Sequence, residues 1–390
     1  MQAYYANRIT NLSESITIAI STLARELKAQ GKDILSFSAG EPDFDTPQVI
    51  KDAAIKAIQE GFTKYTATAG IPELLSAISE KLARENHLNY STKEIIVNSG
   101  AKHSLFNVFQ ALIDVDDEVI IPSPYWVTYP ELVAFSKGKN VFIETSQENN
   151  FKITKEQLKA AITPKTKMLV LTTPSNPTGM VYPKQELEAI GEVLKNTNIW
   201  VLSDEIYEKL VYDGKFTSAG SISGDMLERT ITINGLSKAA AMTGWRMGYL
   251  ASKDQKLCKL IDGLQSQSLS NINSITQKAA IAGLNGSADK DIENMRTAFK
   301  ERRDFAHQKM NAIEGLNVIK PDGAFYLFVN CSSITKDSMQ FCKDLLEQQG
   351  VAVVPGIGFG MEGYFRFSFA TDLQSIEKGI QRIARFVTKN

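Results

Sequence analysis

The chain has 390 residues, 43% of them hydrophobic and 22% charged, which suits a globular fold of about two domains and excludes disordered and fibrous classes. Its 43 Lys and Arg stand against 44 Asp and Glu, a formal net charge of −1, so there is no basic surplus for general nucleic-acid binding. No apolar run reaches the ~18–20 residues that span a bilayer. The start, MQAYYANRIT, also lacks the charged-then-apolar layout of a signal peptide, which points to a cytoplasmic setting.

Residues 12–30 carry an amphipathic helix pattern closed by Gly31. From about residue 94, short apolar runs alternate with helical stretches. The runs are Ile95-Ile96-Val97, Val119-Ile120-Ile121, Met168-Leu169-Val170-Leu171, Ile199-Trp200-Val201-Leu202 and Ile231-Thr232-Ile233. Continuous apolarity marks strands covered on both faces of a largely parallel sheet. Between them, segment 184–195 sets Leu187, Ile190 and Leu194 on one helix face. This is α/β organisation. Beyond about residue 290 come a long charged helix (291–312), strand-like pieces at 325–329, 351–354 and 364–369, and a last helix at 373–386. The economical architecture is a large domain over 46–290, with a smaller α+β domain built from 1–45 and 291–390.

Cys258, Cys331 and Cys342 are odd in number and far apart, so no disulfide framework is expected. His87, His103 and His307 are equally scattered, and no spacing suits a metal. No local signature supports a Cys–His nucleophile pair.

Ligands in open α/β sheets bind beyond the C-terminal strand ends, so the residues after each run are the ones to inspect. Asp204 and Tyr207 follow the run ending at Leu202; alone, Asp204 reads as well as a helix cap. Lys238 follows the run 230–234 in the turn Gly235-Leu236-Ser237-Lys238, where a lone lysine would ordinarily be solvated. Arg246 then sits in Thr243-Gly244-Trp245-Arg246-Met247-Gly248. Asn176 lies in a turn with Pro174 and Pro177 after run 168–171, and Gly100-Ala101-Lys102 opens a helix after run 95–97.

Here the pattern becomes specific. GLSKAAAMTGWRMG resembles the lysine signature of class I/II pyridoxal 5′-phosphate (PLP) aminotransferases. The companions AGEPDFDTP, KYTATAG, SPYW, SNPTG, SDEIY and FRFSFA follow in that family's order across about 330 residues. The resemblance is closest to the bacterial aspartate aminotransferase branch labelled Ib. It implies fold type I, a three-layer, mostly parallel seven-stranded sheet. It also implies a homodimer, and transfer of an amino group between L-aspartate and 2-oxoglutarate; prephenate, aromatic or other amino-acid specificity is the alternative.

By this resemblance Lys238 holds PLP covalently and then moves protons, and Asp204 faces the pyridine nitrogen. One opposite charge at ~4 Å and an effective ε of ~20 is worth ~4 kcal/mol, enough to keep that nitrogen protonated. Tyr207 and Asn176 would donate to the phenolic oxygen, and Trp126, otherwise a plain core aromatic, would stack on the ring. Arg246, Ser237 and the backbone of Gly100, Ala101 and Lys102 would hold the phosphate, joined by Tyr65 from a neighbouring subunit. Arg366, with Gly40, would clamp the substrate α-carboxylate. Lys102 would meet the side-chain carboxylate, with Ser15 and Thr17 assisting; the alternative is a solvated helix-start lysine beside the phosphate. Segment 356–360, GIGFG, imitates a nucleotide loop, but no P-loop lysine follows, and it reads as a hinge-like loop near the cofactor. A PLP-binding regulator lacks its DNA-binding segment here, and a nicotinamide dehydrogenase its G-x-G-x-x-G.

Overall fold

The computed structural model describes residues 4–13 and 16–388. The first strand, β1 (Leu35–Ser36), stands apart from the main sheet. Seven more follow: β2 (Ile95–Ser99), β3 (Glu118–Ser123), β4 (Lys139–Glu144), β5 (Thr166–Thr172), β6 (Trp200–Asp204), β7 (Thr230–Gly235) and β8 (Met247–Ala251). They form one sheet in the order β2-β8-β7-β6-β5-β3-β4. β8 runs antiparallel to both neighbours, and the other pairings are parallel. The five apolar runs read from sequence are β2, β3, β5, β6 and β7. β4 and β8 are not among them: β4 is an edge strand in which Val141-Phe142-Ile143 buries only Ile143, and β8 is interrupted by Gly248, leaving Tyr249-Leu250-Ala251.

Helices cover both faces and make the third layer. Ala101–Leu112 and Gln255–Ser268 pack Leu105, Val108, Phe109, Leu257 and Ile261 onto Ile96, Val119, Leu202 and Ile231. On the other face Lys184–Leu194 buries Leu187, Ile190 and Leu194 against Ile120, Leu169 and Val201, the stripe that the helical period requires. Each such side chain contributes ~1.5–3 kcal/mol.

The two ends of the chain combine. β9 (Tyr326–Asn330), β10 (Val351–Ala352), β11 (Val354–Pro355) and β12 (Tyr364–Ser368) divide between two small sheets: β11-β12-β9, antiparallel, and β1-β10, parallel. The apolar segment 351–354, expected as one strand, is therefore two. Its first half pairs with β1 and its second with β12, each satisfying backbone groups against a different neighbour. Phe37 stacks on Phe367 with ring centroids 4.2 Å apart, tying the N-terminal segment into this core. Three helices flank it, Asp289–Asn311, Ser338–Gln349 and Leu373–Val387; the last starts where Asp372 Oδ1 accepts from the Ser375 N–H at 2.8 Å. The first amphipathic helix begins at Ile16, and a four-residue helix, Asn7–Thr10, precedes it. Segment 356–360 forms one short helical turn, Gly356–Phe359, between β11 and β12.

Candidate active site

A cavity of about 370 Å³ opens at the C-terminal ends of β5, β6 and β7. Parallel pairing sets Thr172, the end of β5, beside Asp204, the end of β6, and Lys238 lies just beyond β7. Asp204 is 3% exposed. Its Oδ1 accepts from the Ile206 N–H at 3.3 Å, and its Oδ2 from the Tyr129 hydroxyl at 2.7 Å. Tyr129 in turn accepts from Thr172 Oγ1 at 2.9 Å. Burial outweighs these bonds and raises the carboxyl to about 6. Lys238 Nζ donates to the carbonyl of Gly40. Burial lowers its amine to about 8; Glu41 pulls it upward, Arg366 and Arg246 push it down, and Asp204 pulls it up. A lysine in that range supplies free amine near neutrality, as a nucleophile or base requires.

One end of the cavity is cationic. Arg246, Ser237, Ala101 and Lys102 all line it. Arg246 adopts a left-handed backbone, φ 56°, and its guanidinium reaches the carbonyl of Thr243 at 3.0 Å. The helix Ala101–Leu112 starts beside it, with first-turn N–H groups that have no intrahelical acceptor. Gly100, at φ 80°, permits this approach, since a Cβ there would lie 2.5 Å from an Arg246 nitrogen.

A further cation lining the cavity is Arg366, on β12 and 1% exposed. Its guanidinium donates to Asn176 Oδ1 at 2.9 Å and to the carbonyl of Ser38 at 2.8 Å, both neutral acceptors. Its Nε is buried without a partner among the described residues. The guanidinium carbon lies 4.3 Å from the Tyr326 ring centroid and 5.1 Å from that of Phe359. A buried guanidinium held by neutral groups retains its affinity for a carboxylate.

Trp126, Asn176, Tyr207, Gly40 and Thr17 also line the cavity, and Thr17 Oγ1 is buried without a partner among the described residues. Lys102 Nζ sits 4.8 Å from the Trp126 ring centroid, and burial, then Arg246, lowers its amine. Tyr65 is 91% exposed and does not line the cavity of its own chain. Ser15 lies outside the described residues. Among the lining residues that sequence reasoning passed over are Tyr129, Thr172, Tyr326 and Glu41. Tyr129 stands three positions after Trp126, yet only the fold reveals its partner, 75 positions away. Among the described residues no group of three or more His, Cys, Asp or Glu could hold a metal.

The family model described as aminotransferase class I and II matches residues 32–383. The chain belongs to that family. This aminotransferase is 48% identical to an aspartate aminotransferase of Bacillus subtilis (strain 168), over 99% of both chains. It is 46% identical to a probable aspartate/prephenate aminotransferase of Rhizobium leguminosarum bv. phaseoli, over 98% of both. The solved structure of the Thermus thermophilus aspartate aminotransferase with maleate superposes with a TM-score of 0.95 at 42% identity, covering 98% of this chain and 100% of that one.

The cofactor of this aminotransferase family is PLP, and the residues present fit it. A buried carboxyl raised to about 6 suits a cationic ring nitrogen. A lysine lowered to about 8 suits an aldehyde, and an arginine beside a helix N-terminus suits a phosphate.

Proposed function

We propose that this aminotransferase moves the amino group between L-aspartate and 2-oxoglutarate, giving oxaloacetate and L-glutamate. The observation that carries this reading is the pair of cations, Arg366 and Lys102, lining one cavity with Lys238. A dicarboxylic substrate needs a cation at each end. Prephenate is also a dicarboxylate, and the Rhizobium leguminosarum relative is named for both substrates, so prephenate is the second reading.

PLP, when bound, supplies the electron sink that stabilises negative charge at the substrate Cα. Lys238 would hold it through Nζ, and the same amine, when displaced by the substrate's amino group, would take the substrate Cα proton as general base. Asp204 keeps the ring nitrogen protonated, oriented by the hydroxyl of Tyr129. Tyr207 and the Asn176 amide donate to the phenolic oxygen, and Trp126 covers a ring face. Ser237, Arg246 and the backbone of Gly100, Ala101 and Lys102 hold the phosphate. Arg366, with Gly40, grips the α-carboxylate through two parallel bonds, and Lys102, with Thr17, receives the side-chain carboxylate.

We assign residues 46–290 to a cofactor-holding domain, and 1–45 with 291–390 to a smaller one that carries Arg366. A homodimer completes the site with Tyr65 of a second copy. Its exposure supports this, as does an open groove of about 700 Å³ lined by Arg246, Leu269 and Asn271. No helix among the described residues is long and apolar enough to cross a membrane. Three free, buried cysteines accord with a reducing, cytoplasmic setting.

The test is a single-turnover panel of amino donors, read from the absorbance of the bound cofactor. Aspartate and glutamate convert it to the amine form far faster than alanine or phenylalanine. Equal rates across the panel would remove the dicarboxylate reading. Lys238→Ala keeps PLP noncovalently and loses turnover; a variant that still transaminates would overturn the role of Lys238.

A further inference from the structure

Two tyrosines meet at the edge of the cavity, one from the main sheet and one from the small antiparallel sheet. Tyr207 follows β6 and Tyr326 opens β9; they are 4% and 0% exposed, and their hydroxyl oxygens lie 2.8 Å apart. Tyr326 also presents its ring to Arg366. Gly40 packs beside it: a Cβ there would lie 3.4 Å from the Tyr326 hydroxyl.

We propose that Tyr326 is a positioning residue with two tasks: its hydroxyl donates to that of Tyr207, which turns the Tyr207 proton toward the ligand, and its ring backs Arg366. The proposal rests on the reading of Tyr207 as donor to the phenolic oxygen. Each hydroxyl has one proton, and either oxygen of the pair can be the donor. If Tyr207 donates to Tyr326, it has nothing left to offer the cavity. If Tyr326 donates, Tyr207 is free to donate onward, and its acceptor role strengthens its own bond. A ligand oxygen that can only accept selects the second arrangement. The chain then runs from Tyr326 through Tyr207 to the cofactor, and the same residue supports the carboxylate clamp.

Burial holds both hydroxyls neutral, above the usual tyrosine range, with the charge of Arg366 acting the other way. The charged groups that face Tyr207 are Asp204 at the end of β6, Lys238 beyond β7 and Arg366 on β12. All three remain when Tyr326 loses only its hydroxyl. Tyr326→Phe therefore isolates the hydrogen bond, and Tyr326→Leu removes the ring as well.

The experiment uses the PLP-loaded enzyme and four forms: wild type, Tyr326→Phe, Tyr326→Leu and Tyr207→Phe. The readouts are the pH midpoint of the bound cofactor's absorbance change, and kcat and KM for aspartate. Tyr326→Phe raises the midpoint by about 0.1–0.5 pH unit, because Tyr207 keeps its own bond and loses only the strengthening that comes from accepting one. It lowers kcat and leaves KM in place, because the ring under Arg366 survives. Tyr326→Leu raises both midpoint and KM, and Tyr207→Phe raises the midpoint furthest. A midpoint that moves in Tyr207→Phe but not in Tyr326→Phe overturns the relay while sparing the assignment of Tyr207. A midpoint unmoved in both overturns that assignment and the relay with it. A KM that rises in Tyr326→Phe as much as in Tyr326→Leu overturns the role of the ring.

Discussion

Stripping PLP from this enzyme should expose the cost of burying Asp204, and the size of that cost follows from its surroundings. Burial lifts the carboxyl from 3.8 to about 6 in the folded chain, against the opposing bonds of Tyr129 and Ile206 and the charge of Lys238. A carboxyl with a folded pKa above its unfolded value binds protons more tightly in the native state. Its ionisation therefore weakens folding as pH rises. The penalty is absent below 3.8, where both states are protonated, and complete above about 6. Roughly two units at 1.36 kcal/mol each give about 3 kcal/mol. Asp204→Asn, close in shape and neutral throughout, lacks this term. Denaturant unfolding of both cofactor-free proteins at about pH 4, 5, 6 and 7 measures the difference. The variant should gain on wild type steadily, from near zero at the acid end to about 3 kcal/mol at neutrality. Adding PLP should reverse the ranking, because only the carboxylate has a charge for the ring nitrogen to meet. A stability difference that stays constant across this range would refute the reasoning.

Lys102→Ala should depress kcat/KM for aspartate far more than for alanine, and equal losses would end its part in specificity. Arg366→Lys keeps a charge but loses the planar fork, so kcat/KM should fall about 10- to 150-fold for every amino donor alike, the worth of one charged hydrogen bond. A loss confined to dicarboxylates would contradict the clamp. Tyr129→Phe removes a bond that helps Asp204 ionise, and should raise that carboxyl further. PLP affinity measured by titration should then drop by about tenfold or more near pH 6 and by less at pH 8. Unchanged affinity at both values would show that Tyr129 does not steer Asp204.

How far the sequence speaks depends on where the determining contacts lie. β2, β3, β5, β6 and β7 are legible because helices bury them on both faces, which enforces unbroken apolar runs. β4 escapes because its short run Val141-Phe142-Ile143 is buried only at Ile143, and β8 because Gly248 faces Gly235 where two backbones come close. Lys238 and Arg246 are conspicuous because both stand in a short glycine-bearing signature. Tyr129 and Tyr326 are not, because each acts through one hydroxyl on a residue 75 or 119 positions distant, and any buried tyrosine looks alike in one dimension. The split of 351–354 is equally hidden, because it depends on two partners, β1 and β12, on opposite sides of it in the chain.

The pairing of β1 with β10, and the bond from Arg366 to Ser38 across 328 positions, also set the order in which the enzyme can be assembled. As the chain leaves the ribosome, the strands from β2 to β8 can find one another while the remainder is still being made. The segment around Phe37 cannot. It must wait, apolar and unpaired, until Phe367 and its strand emerge. The pocket proposed to receive the substrate carboxylate is thus the last part to close, so unfinished chains can collect a central sheet but not the proposed clamp.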